Sequence, residues 1–132
     1  MKSLIILATL AAPLTAHADP AKLELHKLVT FDDGRVYVHT DARYSLRTLA
    51  RVWKDNHAWT TIRIEGNAHV DDEEAAIALG QRRADMVKTW LVRFGVDPKY
   101  IESVGNSRDD LANDVDVFVE GCGSAGTDCR GK

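Results

Sequence analysis

Four short stretches of this 132-residue chain hold the residues best suited to chemistry. Arg82 and Arg83 stand together before Ala84. Asn67, His69, Asp71 and Asp72 share one polar segment. Asp109 and Asp110 form an acidic pair, and Cys122 and Cys129 lie near the end. Histidine beside two carboxylates supplies donors that a metal ion accepts. The same residues in a polar loop can equally face water. Arg82 and Arg83 are either donors to an anion or ordinary solvated helix residues. The cysteines read as a disulfide rather than a metal or redox pair, because neither a second cysteine pair nor a histidine stands near them. Ser-His-Asp, Cys-His and phosphate-loop spacings are missing from the sequence. The expectation is therefore a protein that is not an enzyme, with no metal and no cofactor. Trp53, Trp59 and Trp90 fall at or near apolar positions and read as core or rim rather than as sugar platforms.

The start of the chain speaks to compartment. Met1-Lys2-Ser3 is short and basic, residues 4–14 are apolar apart from Thr9, and Ala16-His17-Ala18 places small residues where a signal peptidase cuts. That layout predicts a secretory signal peptide over 1–18, cleaved after Ala18, with an apolar run too short to span a bilayer. The mature chain from Asp19 is then expected to be periplasmic or secreted, without a membrane span. No cysteine follows the apolar run, so no lipid anchor is readable. The oxidising compartment in turn favours joining Cys122 to Cys129. Lys2 is the one charge of residues 1–18, which leaves 16 basic against 20 acidic residues, a net −4. Such a balance argues against a nucleic-acid partner, which would need a basic stripe.

Periodicity supplies the elements. Residues 23–31 alternate in part and end at the turn signal Asp32-Asp33-Gly34, and Val36-Tyr37-Val38 is short and β-rich, so the two runs can form a hairpin. Leu46, Leu49, Ala50 and Trp53 mark one face of a helix with Asp41 as its N-cap. Residues 59–65 read as a strand. Ile77, Gly80, Ala84, Val87, Leu91 and Phe94 form the stripe of a longer helix, with acids at its N-terminal end and Gly95 as its stop. Residues 101–104 and 115–119 are the last strands. The order is β-α-β-α-β-β, after an N-terminal run able to add a strand. Residues 19–120 make one domain, and 121–132 a Gly-rich tail carrying the cysteine pair.

The strand Thr61-Ile62-Arg63-Ile64-Glu65-Gly66, its polar loop, the helix with Leu79-Gly80-Gln81-Arg82-Arg83-Ala84, the Gly95 stop and the strand after it resemble the OmpA-like domain family. The peptidoglycan-associated lipoprotein branch, whose helix carries a similar Leu-Gly-x-Arg-Arg-Ala, is the nearest in pattern. Phe31-Asp32 also precedes Gly66 at the family's spacing. The resemblance implies an α+β fold, a β-α-β-α-β-β sandwich of one mixed sheet with helices packed on a face. It implies recognition in the cell envelope, near the outer membrane, of peptidoglycan or of a periplasmic or outer-membrane protein. The family's ligand is diaminopimelate, gripped through its carboxylate by arginines and through its amine by a loop acid. Carried over, Arg83 takes the place of the binding arginine, and Asn67, His69 and Asp71 make up the altered loop. His69 stands where the family has its acid, one residue is lost before the helix, Glu74-Ala75-Ala76-Ile77 replaces a Tyr-Asn pair, and Asn113-Asp114-Val115 stands where the family has Asn-Arg-Arg. Each charged hydrogen bond lost costs about 1.5–3 kcal/mol, so two losses carry a micromolar ligand toward the millimolar range. The alternative is an OmpA-like scaffold that has given up this ligand for a protein partner.

Overall fold

The computed structural model describes residues 22–107, 113–122 and 127–130. The expected signal peptide, and the Asp109-Asp110 pair, lie outside the described residues. The elements run β1 (Lys22–Thr30), α1 (Thr40–Asp55), β2 (Trp59–Ala68), α2 (Glu73–Arg93), a 3-10 turn (Pro98–Tyr100), β3 (Ile101–Ser107) and β4 (Asp114–Gly121). They build one mixed sheet in the order β1-β4-β2-β3. β2 and β3 are parallel, joined across α2, while β4 runs antiparallel to both β1 and β2. This is the expected α+β architecture, with both helices on one face.

Alternation in the strands sorts the two faces. Ile62 and Ile64 of β2 and Val115, Val117 and Val119 of β4 are fully buried under the helices. They meet Leu46, Leu49, Ala50 and Trp53 of α1 and Ala84, Val87 and Leu91 of α2. Each buried Val, Leu or Ile side chain here contributes about 1.5–3 kcal/mol. Helix α2 comes unusually close to the sheet. A Cβ on Gly66 would collide with the Gly80 carbonyl, one on Gly80 with the Gly66 carbonyl, and one on Gly105 with the Ile77 carbonyl. Gly66 and Gly105 are partners across β2 and β3, so a side-chain-free patch of sheet receives a side-chain-free turn of helix.

Four expectations need correction. Residues 36–38 do not pair with β1, and β4 takes that place. The Arg35 N–H closes a turn onto the Asp32 carbonyl at 2.9 Å. The carbonyls of Asp32, Arg35 and Val38 then accept from arginine side chains instead of a strand. Helix α1 begins one residue earlier than Asp41; its N-cap is His39, which makes no side-chain cap bond, and Asp41 lies in the first turn. On α2, Ile77 is 40% exposed, and Ala76 and Leu79 join the inner face instead. Strands β2 and β3 continue together to Ala68 and Ser107, past the expected ends at residues 65 and 104.

Two other ends behave as read. Asp72 caps α2, its side chain accepting the Ala75 N–H at 2.8 Å. Gly95 has φ 107° after the C-cap Phe94. The N–H groups of Gly95 and Val96 reach back to the carbonyls of Val92 and Leu91, which satisfies the helix end. Among the described residues no helix is long and apolar enough to cross a membrane.

Candidate ligand-binding site

The loop after β1, the end of β2 and the residue before β4 converge on one side chain of α2. Arg83 is 0% exposed, and its guanidinium is spent inside the protein. Nε donates to the Arg35 carbonyl at 2.9 Å and Nη2 to the Asp32 carbonyl at 3.1 Å. Nη1 donates to the Asn67 carbonyl at 3.0 Å and to Asn113 Oδ1 at 2.7 Å. The group also lies 5.0 Å over the Phe31 ring. Four of its five N–H donors are therefore taken. Burial lowers the Arg83 pKa from its ordinary value, while Asp33 and Asp114 raise it and Arg82 lowers it further. Asn113 extends the network by donating to Asp33 Oδ1 at 3.1 Å.

Asn67 is equally buried. Its amide nitrogen donates to Asp114 Oδ1 at 2.9 Å and Asp116 Oδ2 at 3.3 Å. Asp116 in turn accepts the Lys27 N–H at 2.8 Å, holding the bulge where Lys27 has φ 55°. Asn67 is thus packed behind the loop and joined to Arg83 through its own carbonyl. His69 and Asp71 are placed differently. His69 is half-buried and Asp71 exposed, and neither side chain makes a hydrogen bond or ion pair with any described residue. Of the residues read from the sequence, the structure joins Asn67 to Arg83 and leaves His69 and Asp71 unattached on the loop. Among the described residues no three His, Cys, Asp or Glu side chains gather as a metal site. Chemically, this edge offers acids toward a cation and little free guanidinium toward an anion.

Sequence reasoning missed Asn113 as the acceptor that completes the Arg83 cage. The one available signal was its place at the Asn of the family's terminal Asn-Arg-Arg. The roles of the Asp32 and Arg35 carbonyls belong to the backbone and carry no residue-type signal.

Cys122 and Cys129 form a disulfide. The tail around them is docked. The Cys122 and Cys129 N–H groups donate to the carbonyls of Ala58 and His57 at 3.1 and 2.9 Å. Arg130 lies 4.3 Å over Trp53 and donates to its carbonyl at 2.8 Å.

A single mixed sheet in β-α-β-α-β-β order, backed by two helices on one face, defines the OmpA-like class. The sequence matches the OmpA family over residues 30–117, and the chain belongs to that family. No curated protein matches it. Among solved structures it is similar to the OmpA-like domain of FopA1 from Francisella tularensis subsp. tularensis SCHU S4. The TM-score is 0.65 at 14% identity, covering 82% of this chain and 77% of that one. It is similar to the peptidoglycan-associated lipoprotein from Burkholderia pseudomallei, with TM-score 0.55 and 24% identity over 70% of this chain and 86% of that one. The periplasmic domain of Helicobacter pylori MotB gives TM-score 0.58 and 15% identity, over 77% of this chain and 76% of that one.

Proposed function

We propose that this protein is a binding module of the cell envelope, not an enzyme, and that its grip on diaminopimelate is weakened. The observation that carries this reading is the state of Arg83. The family's carboxylate-binding arginine is here enclosed by acceptors from its own chain. A stem-peptide carboxylate would have to displace them, or share the one remaining Nη2 hydrogen. The loop edge adds acids rather than donors. Any residual recognition then comes from Asp71 and His69 toward the ligand's amine, with Asn67 and Arg83 acting behind them as supports. Membership of the OmpA family and likeness to a peptidoglycan-associated lipoprotein support the envelope setting. The disulfide suits an oxidising compartment such as the periplasm. Export through residues 1–18 belongs to the same proposal, and N-terminal sequencing of the exported protein should begin at Asp19.

Titration of a diaminopimelate stem peptide tests the reading. The expected dissociation constant lies in the millimolar range, and retention on purified sacculi should be weak. Micromolar binding by the wild type would overturn the weakened-site reading.

A further inference from the structure

We infer that a cleft between the segment 36–38 and the two helices binds an acidic extended peptide from a protein partner. The cleft measures about 460 Å³ and is lined by Arg35, Tyr37, Arg43, Met86, Trp90 and Arg93, among others. It lies apart from Asn67 and the loop of His69 and Asp71, and the inference does not depend on the reading above.

Charge is the first argument. Arg43 lies 5.1 Å over the Tyr37 ring and 4.6 Å over Trp90, and Arg93 lies 4.7 Å over Trp90. A neighbouring hollow shares Arg43 and Trp90 and adds Arg47, which lies 5.2 Å over Phe94. Among the described residues no carboxylate lines either hollow. Among the described residues none of Arg35, Arg43, Arg47 and Arg93 is paired with an acid. The nearby Asp32 carboxylate faces His39 at 3.3 Å. Four uncompensated guanidiniums thus gather on one face of a chain whose net charge is −3. Stacking on rings holds a guanidinium flat and leaves edge N–H groups for pairing with carboxylates; Arg43 offers its Nη groups, its Nε already donating to the Val38 carbonyl at 2.9 Å.

Backbone is the second argument. Residues 36–38 lie outside the sheet, and Val36 and Tyr37 make no backbone hydrogen bond among the described residues. Their β-branched and aromatic side chains suit strand pairing, and Tyr37 is 54% exposed. An incoming extended peptide can pair with this segment by strand addition. Side chains of a strand alternate between faces. A peptide alternating acidic with apolar residues therefore sets carboxylates toward the arginines and apolar groups toward Met86 and Trp90. The concave shape, with arginines laid on ring faces, favours a peptide over a membrane surface.

The probe is a blocked octapeptide alternating aspartate with leucine, added to the full-length oxidised protein. Intrinsic tryptophan fluorescence follows binding, and amide hydrogen exchange follows Val36 and Tyr37. Saturable binding that weakens at high salt is expected, with both amides protected. Arg93→Gln, which removes a side chain without internal hydrogen bonds, should weaken it about tenfold or more. Arg43→Lys should weaken it too, since lysine lacks the planar fork. A lysine–leucine octapeptide should not bind. The inference is overturned by any of three results: no saturation at millimolar peptide, affinity unchanged in Arg93→Gln, or co-sedimentation with phosphatidylglycerol vesicles in place of peptide binding. Loss of peptide binding with sacculus retention intact would sink this inference alone.

Discussion

Removing the Arg83 side chain strips hydrogen bonds from the loop after β1, the end of β2 and the approach to β4 at once. Arg83→Ala would leave the carbonyls of Asp32, Arg35 and Asn67 without this donor, and a void beside Phe31. The expected loss is about 3–5 kcal/mol of stability, seen as a fall in melting temperature of roughly 10 °C or more. Arg83→Lys should recover only part of it, because one ammonium cannot span acceptors placed around a planar fork. A melting temperature within a few degrees of wild type for both variants would refute the clamp. His69 is the contrast at the same edge. It has no partner among the described residues, so His69→Ala should leave urea stability within about 0.5 kcal/mol. A larger loss would mean that the side chain supports the loop.

At the scale of elements, α2 is set by what its close side lacks. Gly80 faces Gly66 backbone to backbone. In an exposed helix, Gly→Ala gains about 1 kcal/mol from propensity. Here the added methyl must push α2 off β2, and overpacking costs about 1–3 kcal/mol. Gly80→Ala should therefore destabilise the protein on balance in urea unfolding; a stabilised variant would deny the close approach. The same helix shows what was legible in the sequence. Its apolar spacing, its acidic N-terminus and Gly95 are local signals, and the structure honours them. Ile77 fits the helical period yet faces outward, because Gly80 and Gly105 fix the angle at which the helix sits. Residues 36–38 carry β-type residues, but three arginine-bonded carbonyls and the turn at Asp32–Arg35 keep them out of the sheet. Those partners lie up to 51 positions apart in sequence, and no local pattern reports them. The candidate site was legible to the same extent. Arg83 and its loop stood out by residue type, while the cage that encloses Arg83 is mostly backbone.

For the whole molecule, the tail joins the sheet to α1 rather than trailing from it. The disulfide closes a span of seven positions. On loop entropy alone that contributes about 2.5 kcal/mol. It also delivers Arg130 to the end of α1, where the guanidinium meets the Trp53 carbonyl and ring and lies 5.9 Å over Tyr100. A cation at that place complements the helix C-terminus, and burial against Trp53 lowers its pKa from the ordinary value without discharging it. The disulfide and the arginine should then depend on each other. Without the bond, Arg130 must be ordered at its own entropic cost; without Arg130, the bond fixes only a short loop. Urea unfolding of wild type, Arg130→Ala, the Cys122→Ser/Cys129→Ser pair and the triple variant forms a cycle that isolates this coupling. The expected coupling is about 1–2 kcal/mol, with the two losses together smaller than their sum. Strict additivity would show that the disulfide staples the tail without positioning Arg130.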